Sequence, residues 1–339
     1  MKKFLFSALA ASACFSFTAL SLTACSSRNS SEQTSPSVPV TLSEVAHSIF
    51  YAPQYAAVQL GYFAEEGIDL TLVNGAGADK VMSALLSGDA DIGFMGSEAS
   101  IYTYANGAED YAVNFAQLTQ RAGNFLVARE PDPDFTWEKL SGASVLGGRA
   151  GGMPQMVFEY ILKKHNLDPK TDLSIDQSIS FGLTAAAFPS SSADYTIEFE
   201  PFATALEKEG SGYVVASLGT ESGYVPYTAY CAKKSFLEKN PEIIQSFTNA
   251  IQKGLNYVNS HSAEEIAQTI HPQFPDTDLD SLTSIVSRYK EQDTWKTDTV
   301  FEPDSFDLLQ NILEEAGQLP ERVPYEILVT QEFSKKANQ

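Results

Sequence analysis

From residue 40 onward, apolar and polar positions alternate between two periods, one belonging to short strands and the other to helices. Residues 40–46 read as a strand and 53–60 as a helix, with Pro53 in its first turn and Gly61 just past its end. A helical turn at 62–67, a strand at 68–73 and a glycine loop at 75–79 follow. In 80–87, Val81 pairs with Leu85 and Met82 with Leu86 at a spacing of four, which is one helix face. Gly88 ends that helix, and 90–94 form a strand running into Met95, Gly96 and Ser97. The same alternation restarts at residue 144. A strand holding Val145 and Leu146 leads to a glycine loop at 147–152, a helix at 154–165, strands at 173–175 and 194–199, a helix at 201–209 and a strand at 213–218. One more strand is expected at 228–232, and the remainder is helical at 241–260, 263–270, 279–290 and 305–316. Helical crossovers between short strands imply parallel pairing. The expected class is therefore α/β, in two halves, with a helix-rich C-terminal region.

The first 39 residues do not share this pattern. Lys2 and Lys3 precede an uncharged apolar run at 4–22, which ends in Leu22-Thr23-Ala24-Cys25. That layout is a signal peptide, to be left out of the fold. Leucine, two small residues and a cysteine resemble a lipobox, which implies diacylglycerol on Cys25 and cleavage before it. An ordinary secretory signal would export the chain equally. The expected location is outside the cytoplasmic membrane, tethered to it by lipid. Residues 26–39 are rich in Ser, Asn, Thr and Pro and read as a flexible spacer, giving a signal at 1–24 and a linker at 25–39.

Without residues 1–24, 315 residues carry 20 basic against 43 acidic groups, a net −23. Such a surface repels nucleic acid and anionic headgroups, and excludes both as expected partners. At 43% hydrophobic the chain can bury substantial cores. Cys14 leaves with the leader and Cys25 is the lipid position, so Cys231 stands alone and no internal disulfide can form. Its apolar flanks make it a buried structural thiol.

The chain lacks Gly-x-Ser-x-Gly, His-Glu-x-x-His and a phosphate-cradling Gly-x-x-x-x-Gly-Lys, and Gly75-Ala76-Gly77 lacks the third glycine of a dinucleotide fingerprint. His47, His165, His261 and His271 are dispersed without ligand spacing. Neither a catalytic residue, a metal nor a cofactor is expected. What does recur is the loop after a strand, where open α/β sheets bind ligands. Four loops stand out: 48–55 with Phe50, Tyr51 and Tyr55; 75–79 with Gly77; 94–98 with Ser97 and Glu98; and 147–153 with Gly148 and Arg149. Helix-start amides there favour an anionic group or an electron-rich ring atom. Each loop alone is equally a tight turn; four at one sheet edge point to a site. Arginine is scarce, and Arg121 and Arg149 are either forks for a planar anionic group or partners of surface acids.

The stretches Tyr55 to Leu70, containing Gly61-Tyr62-Phe63-Ala64-Glu65-Glu66-Gly67-Ile68-Asp69, and Ser87-Gly88-Asp89-Ala90-Asp91-Ile92-Gly93-Phe94 carry a resemblance, and Glu200-Pro201 adds to it. From residue 45 to about 329 the chain resembles the substrate-binding proteins of ABC importers in the nitrate/sulfonate/taurine and thiamine-pyrimidine-precursor group. The resemblance implies a two-lobed periplasmic-binding-protein-like fold of type 2, each lobe a mainly parallel sheet flanked by helices, with two hinge crossovers. Mapped here, lobe one is 40–120 plus 225–339 and lobe two is 121–224. It implies a monomeric, non-enzymatic receptor that delivers a small-molecule solute from the interlobe cleft to a membrane permease. Thiamine-precursor binders tend to carry a tryptophan motif after the first strand, where this chain has Phe50-Tyr51-Ala52-Pro53, and the cysteine-rich motif of the fungal pyrimidine synthases is absent. The expected ligand is small, planar and pyrimidine-like, stacked by Phe50, Tyr51 and Tyr55, with Gly77, Ser97, Glu98, Arg121, Gly148, Arg149 and Glu200 as further candidate contacts. A sulfonate, taurine-like or nitrate-type anion is the alternative. An exported hydrolase or pyrimidine-forming enzyme, and a sensing lipoprotein, are the other classes.

Overall fold

The computed structural model describes residues 37–179, 182–319 and 321–339. The signal peptide, Cys25 and most of the expected linker lie outside the described residues. Among those described, no helix is long and apolar enough to cross a membrane.

Among the described residues, ten strands form two five-stranded sheets. The first holds β1 (Val38–Glu44), β2 (Ile68–Asn74), β3 (Ile92–Gly96), β4 (Ala112–Thr119) and β10 (Thr228–Lys233), in the order β2-β1-β3-β10-β4. The second holds β5 (Asn124–Ala128), β6 (Ser144–Leu146), β7 (Ser174–Asp176), β8 (Tyr195–Phe199) and β9 (Tyr213–Ser217), in the order β7-β6-β8-β5-β9. Both sheets are mixed, where mainly parallel ones were expected. β1 pairs in parallel with β2 and β3, whereas β10 runs antiparallel to β3 and β4. β6 pairs in parallel with β7 and β8, whereas β5 runs antiparallel to β8 and β9. The cause is chain routing. The chain leaves the first sheet from β4 into β5 and returns to it through β10, so each returning strand enters against its neighbours.

Two crossovers, 120–123 and 223–227, join the lobes and bond to each other through Val225 N–H to Gln120 O at 2.9 Å. The end of the helix Leu279–Glu291 and the segment after it brace the first crossover. Gln120 N–H donates to Thr294 O at 2.9 Å, and Tyr289 Oη donates to Gly123 O at 2.8 Å.

The helix Pro241–Ser260 starts at a proline and buries Ile244, Phe247, Ile251, Leu255 and Val258, one stripe at spacings of three and four. Each such side chain contributes about 1.5–3 kcal/mol by leaving water. The next helix, Ala263–Ile270, begins where Ser262 and Glu265 close a reciprocal capping box. β3 starts two residues later than its apolar pattern suggests, because the Asp91 carboxylate accepts the Thr41 N–H at 2.9 Å and turns the chain there. The edge strand β4 is buried along its whole length. The C-terminal tail covers it, Thr330 N–H donating to Asn114 O at 2.9 Å and the helix Glu332–Ala337 packing over it. An edge sealed this way cannot recruit another strand. Cys231, in β10, is buried, and burial pushes its thiol up to about 12.

Candidate functional site

The carboxyl ends of β1, β3, β6 and β8 open onto a cleft between the lobes, as expected of open α/β sheets. The cleft has two halves, which share Tyr51, Pro154 and Phe199 as walls. His47, Ser48, Gly147, Gly148, Thr184, Glu198, Glu200 and Phe202 line the first. Gly77, Gly96, Glu98, Arg149, Met153, Tyr227 and Thr228 line the second. All four loops singled out in the sequence contribute lining residues.

The aromatic loop divides within three residues. Tyr51 faces both halves, its hydroxyl bonded to Thr228, and burial raises its phenol above the usual range. Phe50 lies beneath, fully buried, with its ring centroid 5.4–5.7 Å from those of Phe199, Tyr227 and Tyr289. It lines neither half. It fits because residue 123 is glycine: a Cβ there would stand 2.6 Å from Phe50 Cγ. Tyr55 is also fully buried, its hydroxyl donating to Glu44 Oε2 at 2.8 Å.

Glu44 anchors the base of the first half. Its carboxylate also takes Gln54 Nε2 at 2.7 Å and His47 Nδ1 at 2.8 Å. His47 Nε2 lies 2.9 Å from the Gln273 carbonyl, so both ring nitrogens face acceptors, an arrangement that favours the protonated ring. Its pKa is accordingly raised, chiefly by the hydrogen bond to Glu44.

Two further carboxyls face the cleft. Glu98, at the start of the helix Glu98–Ala105, is 3% exposed and its Oε2 has no hydrogen-bond partner. Burial raises it from 4.5 to about 7, against its own and the Met153 backbone N–H and the charge of Arg149. Glu198, on β8, is likewise raised to about 7 by burial, and takes the hydroxyls of Thr196, at 2.6 Å, and Thr184. Arg149 is half-exposed, 3.9 Å from Asp79 across the cleft mouth.

The other predicted site residues lie elsewhere or turn away. Ser97 is buried and donates to Pro226 O at 2.7 Å, tying β3 to the second crossover. Arg121 sits at the first crossover, its guanidinium 4.3 Å over the Tyr224 ring and donating to Gly219 O at 3.1 Å. Glu200 lines the cleft, but its carboxylate turns to Arg288 at 2.6 Å and to Thr204. Sequence reasoning did not single out Glu198, Phe199, Met153 and Tyr227. Glu198 had a signal, an acid two residues before Glu200 in an otherwise apolar strand; Tyr227 had none, since its place is set by the second crossover.

Fold and cleft together define a two-lobed protein of the periplasmic-binding-protein fold. The chain belongs to the NMT1/THI5 like family, which matches it over residues 49–265. YtlA of Bacillus subtilis (strain 168), which bears the name of a binding protein, is 47% identical over 297 residues, covering 88% of this chain and 89% of that protein. Solved structures share the fold at lower identity. The alkanesulfonate-binding protein SsuA of Xanthomonas axonopodis pv. citri, bound to MOPS, superposes with a TM-score of 0.70 at 15% identity, over 88% of this chain and 99% of that one. The periplasmic nitrate-binding protein NrtA of Synechocystis PCC 6803 superposes with a TM-score of 0.73 at 15% identity, over 89% and 88%.

Proposed function

We propose that this protein is the extracytoplasmic solute-binding component of an ABC importer, holding a small planar, pyrimidine-like solute between its lobes and passing it to a permease. The observation that carries the reading is the aromatic slot. Tyr51 from one lobe and Phe199 from the other wall both halves of a largely apolar cleft, the arrangement that favours a flat ring over a compact ion. Diacylglycerol on Cys25 would tether it to the membrane, and substituting Cys25→Ser should move it to the soluble fraction. Binding rather than catalysis is favoured because Cys231, the one thiol among the described residues, is buried and held protonated.

A second reading, a sulfonate or nitrate-type anion, draws on the helix starts beside Gly77 and Gly152, on Arg149, and on the ligands named for SsuA and NrtA. Thermal melting separates the two readings, since a ligand of the folded state raises the midpoint by mass action. Pyrimidines and related heterocycles should raise it at millimolar concentration. A rise with taurine or alkanesulfonates alone would replace the first reading by the second.

A further inference from the structure

Among the described residues, Glu98 and Tyr227 are the cleft-lining side chains that carry a buried polar atom without a hydrogen-bond partner. Glu98 Oε2 and Tyr227 Oη are both buried and both without a partner, and both residues line the same half. The carboxylate is not there by default. It folds back over Gly96, where a Cβ would stand 2.6 Å from Oε1 and closer still to Oε2, so the chain keeps a glycine to make room for it. The neighbouring charge does not satisfy it. Arg149 is half-exposed, stands 3.9 Å from Asp79, and forms no hydrogen bond with Glu98 among the described residues. Glu198, in the other half, differs in having the hydroxyls of Thr196 and Thr184 on its carboxylate.

A desolvated carboxylate oxygen without a donor is costly, and the cost falls away when a donor arrives. The phenol beside it can accept a second hydrogen bond or donate one. An anionic group in that place would instead face a buried acid of its own sign. We propose that the solute carries a cationic or N–H-rich end, such as an amine, an amidine or a protonated ring nitrogen, and that Glu98 with Tyr227 binds that end while Tyr51 and Phe199 hold the ring. Glu98 is thereby the residue that selects against anions. This rests on the reading that the cleft holds a small planar solute, and adds the charge of its polar end.

Four probes that share a phenyl ring test it: benzamidine, benzylamine, benzamide and benzenesulfonate, titrated into the protein at pH 8 by calorimetry. Benzamidine and benzylamine should bind at least tenfold tighter than benzenesulfonate. Glu98→Gln should remove that preference without lowering the melting midpoint of the free protein, and Glu98→Asp, which keeps the charge, should retain its sign. Benzenesulfonate binding as tightly as benzamidine, or a preference unchanged in Glu98→Gln, would overturn the inference while leaving the planar-solute reading intact. Failure of all four, with taurine or nitrate binding instead, would overturn both.

Discussion

Arg288 and Glu200 form a 2.6 Å ion pair that joins the helix Leu279–Glu291 to the residue following β8, so a residue from each lobe holds the other in place. Glu200 is fully buried and Arg288 also reaches Glu207 at 3.1 Å. The pair explains why Glu200, though at the cleft, has its carboxylate engaged elsewhere. Removing the arginine leaves a buried acid supported only by Thr204. Arg288→Ala should cost about 3 kcal/mol of stability. Burial already raises the Glu200 pKa, and loss of the cation raises it further, so the acid can escape its penalty by protonating. The loss measured by urea unfolding should therefore be smaller at pH 5 than at pH 8. Equal losses would contradict this account of the pair.

Phe50 and Tyr51 should separate cleanly on substitution. Phe50→Ala empties a fully buried aromatic site and should lower stability by about 3–5 kcal/mol. Tyr51→Ala opens the cleft wall and should abolish solute-induced stabilisation, at a smaller cost to the free protein. Melting curves with and without solute test both, and a Phe50→Ala protein of undiminished stability would refute the packing described.

Gly123→Ala would drive a methyl group to within 2.6 Å of Phe50 Cγ, at the crossover that Tyr289 holds. Overpacking of this kind costs about 1–3 kcal/mol. Because the clash falls on a crossover, solute affinity should fall as well. A variant with unchanged unfolding midpoint and affinity would show that Phe50 gives way freely.

Glu98, Glu198 and His47, in and below the cleft, make stability fall as pH rises, in the same direction as Glu200, whose pKa burial also raises. Glu98 and Glu198 are raised from 4.5 to about 7, and His47 is raised above 6.5. In each case the folded chain holds a proton more tightly than the unfolded chain. The carboxyls' contribution is complete below pH 4.5 and lost by about 7; that of His47 is complete below 6.5 and lost above its folded value. Each carboxyl contributes at most about 3 kcal/mol. Around Glu98, Arg149 opposes the shift, and Tyr51, Tyr102 and Tyr227 stay neutral in this window because burial raises their phenols. The melting midpoint should drop between pH 5 and 8, and Glu98→Gln should flatten part of the drop. A midpoint that rises across the window would contradict the burial of these acids.

The strand-ending loops were legible in the sequence because glycines, aromatics and helix starts cluster at them, and Glu98, Arg149, Gly77, Gly148 and Tyr51 were all placed at the cleft by that logic. β4 and β5 were not legible. Ala112–Thr119 is buried along its whole length, in part by a tail more than two hundred residues away, so its pattern shows neither strand alternation nor a helix face. Between Phe50 and Tyr51, either of which could be a core residue, the sequence favoured Tyr51 as the contact only because its hydroxyl suits a wet cleft. Which ring turns inward is decided by Gly123 on a distant crossover, a contact that local periodicity cannot carry. Arg121 looked like an anion fork by type alone, yet its position on the crossover hands it to Tyr224 and Gly219.

Calorimetric titration of a set of pyrimidines into the wild-type protein and into Tyr51→Ala, side by side, measures directly whether the aromatic slot holds the solute. Saturable one-to-one binding of a pyrimidine to the wild type, lost in the variant while its fold persists by circular dichroism, is the predicted result. Binding that is equally tight in Tyr51→Ala, or binding confined to sulfonates and nitrate, would contradict it.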